Sequence, residues 1–235
     1  MFAIILAGGK GERLRPLTGD RPKSMVPLLD KPILEYQVEW LREGGVTDIV
    51  VACGYLHQVI EEHFEDGSRW GVSMHYSIEK QPLGRGGALK LAYQQVSPSE
   101  AFVIAANGDN VITQPLEPMV RQHQRTGATA TLMLTQLRSP YGIVQQRGKR
   151  ITGFQEKPLL PHWLSAGVYV LGQEFFAGLP DVGDHEDELF PRLADEGRLY
   201  GFRSHAYWKA IDTVKDLNEA AAQLDVRNSK AAAGS

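Results

Sequence analysis

Phe2-Ala3-Ile4-Ile5-Leu6-Ala7 runs without a break into Gly8-Gly9-Lys10-Gly11-Glu12-Arg13-Leu14-Arg15-Pro16-Leu17-Thr18, and Arg21-Pro22-Lys23 follows closely. The apolar run predicts a buried strand. It empties into a loop with Gly8, Gly9 and Gly11, and then into a cluster of cations. Glycine admits positive φ and lets a ligand come close to backbone N–H groups. Arg13, Arg15 and Lys23 place positive charge beside those donors. Together these are the ingredients of a polyphosphate site. A strand-to-helix turn with solvated charges is the plainer alternative, but such a turn needs neither this many glycines nor this many cations. Two familiar phosphate loops are excluded. A Walker loop needs Gly-x4-Gly-Lys-Ser/Thr, a string this chain lacks. A dinucleotide fingerprint needs a third glycine, where this loop continues with Leu14.

Working outward, strand and helix patterns alternate. Strands are predicted at 2–7, 48–53, 72–78, 101–106 and 128–135. Pro32 opens a helix with Leu34, Val38 and Leu41 on one face, and Gly44-Gly45 ends it. Val59, Ile60 and Phe64 mark a second helix and Ala88 to Gln95 a third. Pro115 opens a fourth, with Leu116, Met119 and Val120 inward. Repeated βα units imply an α/β fold, a mostly parallel twisted sheet covered by helices on both faces. Ligands then sit at the carboxyl ends of the strands, where the opening loop, the 79–87 loop and Asn107-Gly108-Asp109 all fall. After about residue 137 the pattern changes to short strands and turns: Gly142 to Gln146, Arg150 to Gln155, and Leu164 to Leu171. This predicts a small antiparallel extension that lids the site. Thr213-Val214-Lys215-Asp216 has the form of a capping box before a final amphipathic helix with Val214, Leu217, Ala221 and Leu224. Asp184 to Glu188 is expected to form the acidic first turn of another helix. One domain is expected over 1–226, with a first side over about 1–136 and a second over about 137–226. Residues 227–235 are expected to be a disordered or appended tail.

Composition bounds the function classes. A chain of 235 residues is enough for one α/β domain with a full core. A net charge of −3 argues against nucleic acid and against a membrane surface, both of which call for a basic face. The single cysteine, Cys53, forbids an intramolecular disulfide, fits a reducing compartment and reads as a buried structural thiol. No apolar run approaches the about 20 residues of a membrane span. The uncharged N-terminal strand is unlike a signal peptide, so the cytoplasm is the expected compartment. The seven histidines show no paired metal spacing, so zinc is not expected.

The segment Leu6 to Leu34 resembles the signature of the sugar-1-phosphate nucleotidyltransferases, the nucleoside-diphosphate-sugar pyrophosphorylases, and the resemblance extends to about Glu219. It implies a Rossmann-like fold and an enzyme that transfers a nucleoside monophosphate from a nucleoside triphosphate to a sugar-1-phosphate, releasing pyrophosphate. By this resemblance Arg13 and Lys23 are the catalytic cations. Leu6, Ala7, Gly8, Gly9 and Gly11 form the nucleotide loop. Glu79, Gln81, Pro82 and Gly84 form the base loop, with Glu79 or Gln81 beside the base. Asp109 binds nucleotide and Mg²⁺, although Asn-Gly-Asp also suits a plain Asx turn. Asp212, within Trp208-Lys209-Ala210-Ile211-Asp212-Thr213, is the second metal carboxylate; its competing role is to cap the helix that follows. Tyr141, Gly142, Glu156, Lys157, Ser165 and Gly167 match the sugar-phosphate strings. Many members have Asn where this chain has Ser165, and Gly142 and Gly167 would also suit strand bulges.

The base is a separate question. A carboxylate only accepts hydrogen bonds, and guanine presents two adjacent donors, so Glu79 facing the base favours GTP. The Gly11-Glu12-Arg13 variant instead resembles the uridylyl branch. The branch best matched is a mannose- or heptose-1-phosphate guanylyltransferase. Uridylyl, thymidylyl and cytidylyl transfer stay open, as does a catalytically silent nucleotide-sugar-binding regulator. The expected partners are a nucleoside triphosphate and a sugar-1-phosphate, and a homo-oligomer stays open. The chain offers no room for the C-terminal β-helix of some members, so acetyl transfer is not expected.

Overall fold

The computed structural model describes residues 1–233, with side-chain surroundings described for residues 1–226. β1 (Phe2–Leu6) is the strand that the opening run predicts. Two short 3-10 turns, Glu12–Leu14 and Lys23–Met25, carry the chain to a small ribbon of β2 (Pro27–Leu28) and β3 (Lys31–Pro32). α1 (Ile33–Glu43) follows, entered from Pro32 and closed by Gly44 and Gly45, the latter at φ 84°. β4 (Asp48–Cys53), α2 (His57–Phe64), β5 (Ser73–Ile78) and α3 (Gly84–Tyr93) come next. Then come β6 (Phe102–Asn107), β7 (Asn110–Ile112), α4 (Glu117–Thr126) and β8 (Ala130–Arg138). β9 (Ile143–Arg147) and β10 (Arg150–Gln155) form a hairpin, and β11 (Leu159–Gly172) returns to the body. α5 (Gln173–Ala177), α6 (Leu189–Asp195), β12 (Leu199–Arg203), β13 (Trp208–Ala210) and α7 (Val214–Ala233) complete the chain.

The main sheet has seven strands in the order β12-β8-β11-β6-β1-β4-β5. β1 lies parallel to β4 and β6, β4 to β5, and β12 to β8. β11 runs antiparallel to both of its neighbours, β6 and β8. Side chains alternate across β1. Ala3 and Ile5 pack with Leu34, Val38 and Leu41 of α1, Ile60 and Phe64 of α2, and Met119 and Val120 of α4. Ile4 packs on the other face with Ala88, Leu89 and Ala92 of α3, Phe175 and Phe176 of α5, and Leu189, Phe190 and Leu193 of α6. A strand buried on both faces reads as an unbroken apolar run, which is why β1 was legible. A third cluster, Leu14, Val26, Leu28, Ile33, Val111, Ile211, Ala220 and Leu224, pins the opening loop against α7. This is the α/β, Rossmann-like, mostly parallel sheet with helices on both faces that the sequence implied.

Three differences from expectation bear on the site. The strand expected over Leu164–Leu171 is part of the longer β11, Leu159–Gly172, and it joins the core sheet instead of staying in an extension. Its second half, with Val168, Tyr169, Val170 and Leu171 fully buried, is apolar on both faces. The antiparallel extension is the β9–β10 hairpin and the outer ends of β8 and β11. The helix expected from Ala88 starts at Gly84, so the base-loop glycines are its first turn. A Cβ on Gly87 would lie 2.4 Å from the carbonyl oxygen of Asp181, so only glycine lets the 181–183 segment pack there. Lastly, Asp184 to Glu188 is not a helical first turn: α6 begins at Leu189, and the acids before it lie in a turn facing α3. The Arg85 backbone N–H, in the first turn of α3, donates to Asp184 Oδ1 at 2.6 Å, so this acid serves the start of α3 and not of α6.

The capping box before α7 forms as expected. The Thr213 N–H donates to Asp216 Oδ2 at 3.0 Å, and the Asp216 N–H donates to Thr213 Oγ1 at 3.2 Å. The segment expected to be a tail, 227–235, begins inside α7; its side chains, and residues 234–235 altogether, lie outside the described residues. Among the described residues no helix is long and apolar enough to cross a membrane. Cys53 is a buried thiol, as expected, and burial pushes it up to about 12.

His185 is fully buried against Tyr169, Phe175 and Phe190, and neither ring nitrogen has a hydrogen-bond partner. Burial lowers its pKa from 6.5 to about 4, with Glu186, Arg85, Asp184 and Asp187 the charges around it. The unfolded chain therefore takes up this proton first. Stability is complete above about pH 6.5 and falls as the pH drops toward 4, by about 3 kcal/mol from this group. Urea unfolding at pH 7 and pH 4.5 checks this. His185→Leu should lose less stability over that interval than the wild type, and equal losses would contradict the assignment.

Candidate active site

Four loops converge at the carboxyl end of the sheet. Pairing of Leu6 with both Ala52 and Asn107 brings the ends of β1, β4 and β6 level. One cavity of about 410 Å³ opens there, lined by Leu6, Ala7, Gly8, Gly9, Lys23, Glu79, Pro82, Gly84, Arg85, Asn107, Asp109 and Asp184 among others. A second, of about 420 Å³, lies beside it over Ser165, Ala166, Gly167, Trp208 and Asp212. Arg85, Asn107 and Asp109 line both, so the cavities share a wall.

The glycine loop places its residues differently. Gly8 and Gly9 line the first cavity. Gly11 does not, but its φ of 63° and the 2.8 Å that would separate a Cβ from the Lys23 Cβ make glycine obligatory there. The Lys23 stem thus threads beneath the loop. Leu14 is fully buried and anchors the short turn Glu12–Leu14, which leaves Arg13 and Arg15 turned outward.

Lys23 is the hub of the site. Its side chain is only 13% exposed, and Nζ donates to Asp109 Oδ2 at 2.5 Å and to Asp212 Oδ1 at 2.7 Å. The Arg13 guanidinium donates to the same Asp212 oxygen at 2.8 Å. Arg13, Lys23, Asp109 and Asp212, far apart in sequence, therefore form one alternating charge cluster. The cap of α7 is Thr213 with Asp216, so the Asp212 carboxylate is free of that duty and faces the cations. Backbone reinforces the pairing, since the Ile211 N–H donates to the Asp109 carbonyl at 2.9 Å.

Of the two candidate base-loop side chains, one lines a cavity. Glu79 lines the first cavity: Oε2 accepts from the Leu83 N–H at 3.0 Å, and Oε1 lies 3.0 Å from where a Cβ on Gly8 would be. Pro82 and Gly84 line that cavity too, whereas Gln81 is exposed and lines neither.

Of the sugar-side residues, Ser165 and Gly167 line the second cavity. Gly167, at φ 69°, sits where the β8–β11 register shifts, and a Cβ there would lie 2.4 Å from Asn107 Nδ2. Tyr141, Gly142, Glu156 and Lys157 gather at the foot of the exposed hairpin and line neither cavity. A Cβ on Gly142 would meet Glu156 Oε2 at 3.0 Å. Lys157 holds a left-handed φ of 45°, which is uncommon for a residue with a side chain.

Sequence reasoning missed Arg85 and Asp184. The Arg85 guanidinium pairs with Asp184 at 2.9 Å and with Glu186 at 2.5 Å, and Tyr169 donates to Glu186 at 2.9 Å. The Arg85 hydrogen bond holds the Asp184 carboxyl below the usual carboxylate range. The signal for Arg85 was a cation inside Gly84-Arg85-Gly86-Gly87; for Asp184 no local signal separates it from its acidic neighbours.

A family model described as "Nucleotidyl transferase" matches residues 2–226. The chain is 34% identical over 230 residues to D-glycero-alpha-D-manno-heptose 1-phosphate guanylyltransferase of Aneurinibacillus thermoaerophilus, covering 95% of this chain and 98% of that one. It is 35% identical over 232 residues to mannose-1-phosphate guanyltransferase beta-A of Xenopus laevis, covering 92% of this chain but spanning 62% of that relative's length. Among solved structures it resembles HddC from Yersinia pseudotuberculosis with a TM-score of 0.76 at 24% identity, over 95% of this chain and 99% of that one. With the family model matched over nearly its whole length, the chain belongs to the nucleotidyl transferase family.

Proposed function

We propose that this protein is a sugar-1-phosphate guanylyltransferase acting on a mannose- or heptose-type sugar phosphate. The observation that carries the reading is the cluster of Arg13, Lys23, Asp109 and Asp212 where the glycine-loop cavity meets its neighbour. The reaction joins two polyanions. A sugar-phosphate oxygen attacks the α-phosphorus, a new P–O bond forms, the bond to the β-phosphate breaks, and pyrophosphate leaves. The attacker is already an anion, so no general base is required; alignment and charge neutralisation carry the step. Gly8, Gly9 and the backbone from Leu6 cradle the triphosphate. Lys23 and Arg13 exchange their carboxylate partners for phosphate oxygens, Arg13 as a fork and Lys23 as a point charge.

Asp109 and Asp212 suit Mg²⁺. Both already converge on a single cation, and Mg²⁺ commonly takes one or two carboxylates and completes its shell with phosphates and water. When bound there, Mg²⁺ supplies charge neutralisation and orientation of the α-phosphate. The sugar phosphate takes the second cavity, over Ser165 and Gly167.

Guanine is the base that the cavity favours. Glu79 lies inside and offers only acceptors, matching the paired N1–H and N2–H₂ donors of guanine. Both curated relatives described above are guanylyltransferases by name. The test is pyrophosphate release with Mg²⁺ from each of the four triphosphates paired with a panel of sugar-1-phosphates. Release with GTP and a manno-configured phosphate is expected. Release with UTP alone would overturn the base assignment, and binding of nucleotide sugars without release from any pair would replace the enzyme by a silent regulator.

A further inference from the structure

We infer that Gln37, on α1 and lining neither cavity, is a positioning residue that sets the Asp109 carboxylate against Asp212. Gln37 is 1% exposed. Its Nε2 donates to the carbonyl of Asn110 at 2.9 Å and also to the carbonyl of Asn107. These carbonyls are the two ends of the turn that displays Asp109 between them. One side-chain amide therefore closes the turn from behind, using both of its hydrogens. Its Oε1 is buried without a partner, so the side chain is held only through its donors. A purely space-filling role would not explain a buried amide with an unmet acceptor, since an apolar side chain of the same size would avoid that cost.

The rest of the turn is tied down in the same way. Asn110, itself 2% exposed, donates to the Ala166 carbonyl at 2.9 Å, and Trp208 Nε1 donates to that same carbonyl at 2.8 Å. Trp208 begins β13, the strand that leads to Asp212. The Asp109 carbonyl accepts from the Ile211 N–H. Gln37 thus fixes the turn from α1, while Asn110 and Ile211 fix it to the strand of the opposing carboxylate. Partners that orient metal-binding groups from behind affect metal affinity or activity by about 10- to 100-fold when removed.

The inference rests on the reading of Asp109 and Asp212 as a metal site. Gln37→Met keeps the size and removes the donors; Gln37→Asn keeps an amide that falls a methylene short and serves if the Met variant does not fold. Trp40→Phe is the control. Trp40 is on the same helix and donates from a nearly buried side chain to the Gln114 carbonyl at 2.6 Å, away from the turn. Mn²⁺ affinity is read by electron paramagnetic resonance, Tm by calorimetry, and backbone opening by hydrogen exchange of the peptide spanning 104–112. The expected result is about 10-fold or more loss of Mn²⁺ affinity and faster exchange in the Gln37 variant, with neither change in Trp40→Phe at a similar drop in Tm. Equal effects in both variants would make Gln37 merely structural and overturn the inference. Absence of Mn²⁺ binding in the wild type would overturn the metal reading instead. The exchange comparison would still decide whether Gln37 holds the turn, and unchanged exchange would reject it.

Discussion

Replacing Lys23 with methionine is expected to change turnover and metal affinity in opposite directions. The Lys23 ammonium sits between Asp109 and Asp212, 2.5 and 2.7 Å from their oxygens, where it neutralises two like charges. The side chain is largely buried, so this charge is only partly screened by water. In the proposed reaction the same ammonium faces phosphate as negative charge moves onto the leaving group. Its loss should lower kcat/KM by roughly 100- to 1,000-fold, the scale seen when one preorganised donor is removed from a transition state. Without nucleotide, however, the ammonium competes with any dication for the two carboxylates. The Met variant should therefore bind Mg²⁺ or Mn²⁺ about tenfold more tightly in the absence of nucleotide, a modest Coulomb term at intermediate dielectric. Its stability should also become metal-dependent, because two unneutralised carboxylates now face each other. Calorimetric titration and thermal melts with and without Mg²⁺ read both effects. Weaker metal binding in the variant would mean that Lys23 helps assemble the metal site instead of holding its place.

Asp212→Asn should lower turnover by a similar factor, roughly 100- to 1,000-fold, through loss of one of the two carboxylates that would hold the cation. The fold should be almost untouched. Its carboxylate is 36% exposed, its neighbour Ile211 is fully buried, and the cap of α7 belongs to Thr213 and Asp216. The lost ion pair with Arg13 is exposed and contributes about 1 kcal/mol or less, and Lys23 keeps its pair with Asp109. Unlike Lys23→Met, this variant should bind the metal more weakly. The pair of variants thus separates the carboxylate from the cation it holds. Near-normal turnover in Asp212→Asn would remove Asp212 from the metal site and leave its ion pairs with Arg13 and Lys23 as its role.

The sequence alone determined whatever depends on neighbours along the chain. The unbroken apolar run of β1 declared a strand buried on both faces. The Gly8 to Gly11 loop with Arg13 and Lys23 marked a candidate phosphate site. Thr213 with Asp216 declared the start of α7, because a capping box is closed by residues three apart. Asp109 and Asp212 could be nominated through the resemblance of their strings to the family's.

Their meeting could not be read that way. Lys23 and Asp212 are 189 residues apart, and the contact exists only because the third core cluster folds α7 against the opening loop. Glu79 and Gln81 are near neighbours with equal claims on the base in sequence. The path of the chain after β5 turns Glu79 into the cavity and leaves Gln81 outside. Arg85 finds Asp184 across 99 residues through the packing of the 181–183 segment on the glycines of α3. β11 was misjudged for the same reason. Its outer half reads as an exposed strand, and only the sheet order shows its inner half between β6 and β8. Local pattern records the burial of each segment, whereas the pairing of charges depends on which segments the sheet brings side by side.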